Sequence, residues 1–314
     1  MEHGLTFNKI FEHISSDEKE FIKLLEAVSD LSKFRDISEE EEERRISETK
    51  GFIEAAEYDL NSSKILYDSK IYPTAIYHLQ QAVEKYVKAY MINFFVLNIK
   101  EIRDVGHDSP KAFLKLLNKF KNIFNLSISI AEKAYLFDSK IQKISMENIH
   151  NLENSIKNNK EQVAKMNSAE IENMISLAYN ILESQKNQET MRTKLIESLG
   201  AFRKELEKEI EESGKEEKWL SEAIAVVDKM ETNSDNTFEN YSKYSNISAL
   251  YIISILTYPH ASFARYSNKI LPPHKYDETL GIVQCFSKIV ELLENILEPW
   301  KIQLSQEISI RTDS

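Results

Sequence analysis

Residues Pro73–Met91 read PTAIYHLQQAVEKYVKAYM, and this stretch decides the fold class. Pro73 suits a first helical turn, where its missing N–H costs nothing and its fixed φ is already helical. Ala75, Ile76, Leu79, Ala82, Val83, Tyr86, Val87, Tyr90 and Met91 then recur at three- and four-residue steps, which makes a wide apolar stripe. His78, Gln81, Lys85 and Lys88 fall on an adjacent ridge, because residues three and four apart stack on one helix face. A helix this apolar with an ordered row of polar groups is either a core helix with a solvated edge or the wall of a site.

Composition agrees with helices throughout. The chain has 314 residues, with only six glycines and six prolines, too few turn residues for many strands joined by tight turns. The formal charge of −11 argues against broad non-specific nucleic-acid binding, which runs on excess Lys and Arg. Cys285 is the single cysteine, so neither an intrachain disulfide nor a cysteine zinc site is available. No signal segment is apparent, and the apolar runs at 91–99 and 247–258 are too short to span a bilayer. The expectation is a soluble cytoplasmic protein without a membrane segment.

Working outward from the central helix, residues 5–34 read as a short helical hairpin. SEEEEERR (38–45) reads as a solvated helix start, with acidic groups placed favourably at the N-terminus. A long helix is expected from about Ser47 to Lys70, with Phe52, Ile53, Ala56 and Leu60 facing inward. Asp59 lies in that inward pattern, and a buried carboxylate needs a partner. The loop SKIYP then turns the chain back, so the two helices should pack antiparallel. Gly106 ends the next segment, and Asp108 or Ser109 can cap a helix with Pro110 in its first turn.

From about 121 to 244 the aromatic density drops. Ile171–Leu182, Met191–Ile210 and Trp219–Met230 read as amphipathic or coiled-coil-like helices, closed by the turn cluster NSDNT (233–237). Past Tyr244 the dense apolar pattern returns. A last helix is expected from about Tyr276 to Leu297, with a frayed tail after Trp300.

Four stretches together resemble the HEPN family of helical-bundle domains. HLQQAVEKYVKAYMI resembles the family's Gln-Gln-Ala-x-Glu-Lys-x-x-Lys-Ala signature through Gln80, Gln81, Ala82, Glu84, Lys85, Lys88 and Ala89. AEYDLNSSKILYDSKIYPTAIYH is similar to its opening pair, and VGHDSPKAFLKLL to its Gly-His before a leucine-rich helix. Downstream, RYSNKILPPHKYDETLGIV resembles its Arg-Tyr-Pro-Asn loop through Arg265, Tyr266, Asn268 and Tyr276, with Ser267 in place of the usual proline. The resemblance implies an all-α, up-and-down HEPN-like bundle built from residues 47–120 and 245–300. It would be interrupted by a helical insertion at 121–244, preceded by an extension at 1–46 and followed by a flexible tail at 301–314.

HEPN proteins fall into two functional groups. In the ribonucleases, four to six residues stand between an arginine and a following histidine at a dimer interface; the histidine would act as base and the arginine would bind phosphate. Arg103 and His107 are the nearest candidates here, but only three residues separate them and Gly106 breaks the helix between. The other group comprises non-catalytic partners of small nucleotidyltransferases and modules that bind nucleotides. The resemblance favours this second group: a homodimeric binding module in a toxin–antitoxin or phage-defence setting. Its ligand residues would be Asp59, His78, Gln81, Lys85, Lys88, Arg265, Tyr266, Asn268 and Tyr276. Arg265 offers a planar fork for a phosphate, and Tyr266 and Tyr276 offer stacking faces. A buried Asp59–Lys85 ion pair is the structural alternative for those two residues. Ribonuclease action on RNA is the alternative function, and a scaffold whose insertion docks a partner helix is a third. No cofactor is implied. Glu147-x-x-His150 has the spacing of a di-iron helix but no second copy, so no metal site is expected. A phosphate-cradling glycine loop is also missing.

Overall fold

The computed structural model describes residues 38–94, 97–119, 146–183, 234–266 and 269–312, with isolated positions at 121 and between 193 and 228. Among the described residues the fold is all-α, without a strand, and no helix is long and apolar enough to cross a membrane. Residues 38–118, 146–183 and 243–314 form one compact unit; residues 1–37, 119–145 and 184–242 form a second. Of the second unit's described side chains, Arg203 pairs with Glu207 and Asp228. The expected hairpin at 5–34 lies outside the described residues, as do most of the expected helices at 191–210 and 219–230.

Helix α1 (Glu39–Asp68) begins earlier than its apolar pattern suggests. Ser38 is its N-cap: Oγ accepts the Glu41 N–H at 3.2 Å, and four glutamates occupy the first turn, where the helix dipole favours negative charge. The acidic run is only partly solvated, however. Glu42 and Arg45 are buried. Arg45 Nε and Nη2 clasp both Glu42 carboxylate oxygens at 2.8 and 2.6 Å, while Nη1 donates to the Asn93 carbonyl and side chain at 2.7 and 2.6 Å. Residues 39–46 therefore belong to the first bundle helix, not to a separate extension.

The chain then reverses within three residues. Ile71 N–H reaches the Leu66 carbonyl and Lys70 N–H the Tyr67 carbonyl, both at 2.9 Å, the paired bonds that close a helix in a left-handed C′ residue. That residue is Lys70, at φ 60°. So tight a turn places α2 (Tyr72–Asn93) antiparallel to α1, and the two pack along their lengths. The apolar stripe of α2 is fully buried, from Ala75 through Met91.

Helix α3 (Ile99–Val105) follows a reciprocal cap between Asn98 and Glu101 and ends at Gly106, whose φ of 60° glycine adopts without steric cost. Helix α4 (109–119) starts at Asp108, whose Oδ1 accepts the Lys111 N–H at 3.2 Å. Helices α5 (Met146–Asn158), α6 (Lys160–Ala164) and α7 (Ser168–Glu183) come next. Ile171, Ile175 and Ala178 of α7 are buried as the amphipathic pattern requires. They lie in the same compact unit as the α1–α2 hairpin, although their position in the sequence suggested the insertion.

Helix α8 (Ser234–Thr257) grows out of the NSDNT cluster, which starts the helix instead of forming a closing turn. It is tied to α4 by a buried Ser254–Ser109 hydroxyl bond of 2.8 Å and by Phe113 against Tyr251. After the short α9 (His260–Phe263), the chain passes a 3-10 turn (Pro273–Lys275) and α10 (Gly281–Gln284) into α11 (Phe286–Thr312). Phe286 stacks on Tyr67 at 4.1 Å, and Tyr67 donates its hydroxyl to the Val283 carbonyl at 3.0 Å. Trp300 meets Tyr90 edge-on at 5.0 Å. With Trp300 and Leu304 buried, α11 runs on to Thr312 where a frayed tail was expected.

Gly281 sets how closely α10 approaches the start of α7. A Cβ there would lie 2.2 Å from the Met166 carbonyl oxygen and 2.9 Å from the Ser168 nitrogen, both backbone atoms. Gly281→Ala is expected to destabilise the full-length chain by about 1–3 kcal/mol. Gly51 lies mid-helix with open space around its Cβ position, so Gly51→Ala should gain about 0.5–1 kcal/mol. Urea denaturation of the two variants beside the wild type checks both signs.

Candidate functional site

The polar ridge of α2 meets two carboxylates. Asp59 sits on the inward face of α1 near Ala56, Leu60 and Ser63, and it is only 9% exposed. A charge so withdrawn from water needs counter-charge and hydrogen bonds. Lys85 Nζ donates to Oδ2, and His78 Nδ1 lies 2.8 Å from Oδ1. One and two turns along α2, Glu84 gathers the remaining polar groups. Lys88 Nζ donates to it at 2.8 Å, His107 Nδ1 approaches at 3.0 Å, and the Gln80 and Gln81 amides lie at 3.3 and 3.4 Å. Gln81 also donates to Gln80 Oε1 at 2.6 Å.

Arg265 reaches this wall from 188 positions away. Its Nη1 donates to the Tyr77 hydroxyl at 3.3 Å, and its Cζ lies 4.8 Å from the Tyr77 ring centroid and 5.2 Å from that of Tyr266. Tyr77 in turn meets the His78 ring edge-to-face at 5.4 Å. A continuous row therefore runs from Arg265 through Tyr77 and His78 to Asp59 and Lys85. The guanidinium is exposed and held by two aromatic faces, a favourable cation–π setting.

Of the sequence-predicted residues, Asp59, His78, Lys85, Arg265 and Tyr266 come together in this row, and Gln81 and Lys88 line the neighbouring Glu84 knot. Lys85 and Lys88 are both ion-paired, so they stiffen the wall and add no open positive charge. Tyr276 departs from its expected stacking role. It is 3% exposed, with its hydroxyl 2.7 Å from His260 Nδ1. Burial holds the His260 pKa down to about 3, helped by the nearby Lys160 charge. Asn268 lies outside the described residues. Two participants escaped the sequence reading: Tyr77, next to the ridge, and Glu84, which the signature contains but which the ridge spacing does not mark.

Arg103 is exposed on α3, its carbonyl accepting the Gly106 N–H at 3.1 Å as the helix closes. His107 points one ring nitrogen at Glu84 and leaves 84% of its side chain exposed. Among the described residues, no group of three or more His, Cys, Asp or Glu side chains is placed to hold a metal ion.

Residues 49–189 match the HEPN domain family. Over those residues the chain is similar to HEPN domains. The match takes in α1 from residue 49 and the elements through α7, and it stops before α8 and the Arg265 loop. The HEPN match is thus continuous over segments that the sequence resemblance divided between bundle and insertion. A 47-residue stretch, 15% of this chain, is 49% identical to "Putative toxin MJ1304" of Methanocaldococcus jannaschii. That stretch spans 31% of the relative's own length. No solved structure matches the chain.

The shielded Glu84 knot and an open surface pair predict a contrast in stability. Glu84 and Lys88 are shielded, with 4% and 12% of their side chains exposed. Glu84→Gln, which leaves that lysine without its counter-charge, is expected to cost about 3 kcal/mol. The Lys64–Glu294 pair is far more open, and Lys64→Met should change stability by no more than about 1 kcal/mol. Chemical denaturation of the two variants gives the comparison.

Proposed function

We propose that this HEPN-domain chain is a non-catalytic binding module that holds a phosphate-bearing ligand of nucleotide type at Arg265. One observation carries the reading. Arg265 presents an exposed guanidinium between Tyr77 and Tyr266, with no carboxylate paired to it among the described residues, beside cations that are already neutralised. A planar fork suits phosphate oxygens, and the exposed Tyr266 ring suits a base. His78, Asp59 and Lys85 hold Tyr77 and the wall in place. The name of the archaeal relative supports a toxin–antitoxin setting, in which the module would act as a cytoplasmic homodimer beside a nucleotidyltransferase.

Isothermal titration with adenine and guanine nucleotides tests the ligand. The wild type should bind, and Arg265→Ala should weaken binding about tenfold or more, the effect of losing roughly 1.4 kcal/mol. Absence of heat in both proteins, or equal affinities, sinks the proposal. Light scattering on the same preparation should return a dimeric mass.

A second reading is favoured by His107. Its Nδ1 is anchored on a buried carboxylate while its ring faces solvent, the arrangement that fixes a tautomer and frees the other nitrogen for proton transfer. Under this reading the chain is a ribonuclease using His107 and Arg103. The Gly106 break and the three-residue spacing weigh against it. Incubation with total RNA separates the two: the binding-module reading expects no cleavage, and cleavage lost in His107→Ala would replace it.

A further inference from the structure

The inner side of α1 is fully committed. Asp59 pairs with α2, and Glu57 and Lys64 are ion-paired to Lys301 and Glu294 of α11. On the opposite side, Gly51, Tyr58 and Ile65 are exposed at heptad spacing, which brings them to one line along the helix. Tyr58 and Ile65 are 75% and 67% exposed, the two most exposed large apolar side chains among the described residues. Ala55 and Ser62 run beside them, so this line carries no charge. A glycine inside a helix weakens it, and the open space around the Gly51 Cβ position means that no neighbour in the chain asks for one there. Glycine does suit a place where another molecule comes close.

The line is complementary to itself when reversed. Gly51 stands two turns before Tyr58 and Ile65 two turns after it, each about 10 Å from that centre at 1.5 Å per residue. When a second α1 lies antiparallel across the first, centred on Tyr58, each Ile65 meets Gly51 of the second copy, a knob against a hollow. The same operation sets Ala55 against Ser62, small against small. Lys50 and Asp68, both exposed, are five helical turns apart and so lie on one edge of the helix. The two-fold operation keeps that edge and brings Lys50 to within about 3 Å, along the axis, of Asp68 of the second copy. Opposite charges therefore meet at both ends of the contact. A parallel pairing would set Gly51 against Gly51 and forgo both charge pairs.

We infer that this outer face of α1 is where two copies of the chain meet, as an antiparallel α1–α1 pair on a two-fold axis at Tyr58. Such an interface is isologous: each copy offers the same patch, and the contact closes at two. The inference rests on the homodimer in the proposed function and supplies its surface. Between Lys50 and Asp68 the contact runs about 27 Å, at the small end of specific interfaces, so the dimer comes apart on dilution.

Sedimentation equilibrium of the full-length chain measures the dimer dissociation constant. Ile65→Arg and Gly51→Leu change exposed positions, so both should keep the wild-type circular dichroism spectrum while raising that constant about tenfold or more. Variants that dimerise as the wild type does overturn the inference. A wild type that binds nucleotides but stays monomeric also overturns it, and leaves the ligand reading at Arg265 standing. Mild oxidation reads the register, because the native Cys285 is buried. Tyr58→Cys should link to a second copy of itself. Ile65→Cys should not link to itself, and should link when mixed with Gly51→Cys. Self-linking of Ile65→Cys as fast as that of Tyr58→Cys overturns the antiparallel placement.

Discussion

Asp59 and Glu84 are both withdrawn from water between helices of the bundle, and each has to be answered by charge and hydrogen bonds inside the protein. Lys85 and His78 answer the first; Lys88, His107 and the two glutamines answer the second. The apolar stripe of α2 supplies most of the burial, but apolar contact alone is indifferent to small slips between helices. Asp59, on α1 with both partners on α2, is not. Moving α2 along α1 would strand a buried charge, so the polar ridge specifies the register that the stripe stabilises.

This division of labour also decides what the ridge can do chemically. Its cations are committed to the fold, and among the described residues the group left open to an incoming anion at this wall is the guanidinium delivered by a distant loop. Tyr77 links the two parts. It orients Arg265 through ring and hydroxyl, and it touches His78, which is fixed by Asp59. A change at Asp59 would therefore reach Arg265 through two intervening side chains without touching it.

Much of the helix content was legible because period and punctuation agree locally: Pro73 at a helix start, Gly106 at an end, Asp108 as a cap, the Asp59 partner in the next helix. The errors share a cause. Residues 38–45 read as a solvated run because charge is taken to mean exposure, yet Arg45 is buried by partners 3 and 48 positions away that its neighbours do not announce. Tyr276 read as a stacking face because a tyrosine's position says nothing about what takes its hydroxyl. The segment with α7 read as insertion because its outer face is polar, while three residues suffice to bury its inner one. Glu84 was missed because a glutamate between apolar residues looks like an edge until the groups converging on it are seen.

Arg45 gives the hairpin a property that neither helix has alone. Its guanidinium grips Glu42 on its own helix and the carbonyl at the far end of α2, where the aligned peptide dipoles concentrate negative charge. The loop at Ser69–Ile71 joins the two helices at the opposite end. A pair of helices joined at one end can ratchet past each other by a helical turn of about 5.4 Å. A pair fastened at both ends cannot, and any movement the domain makes on meeting a partner must carry α1 and α2 together as one lever.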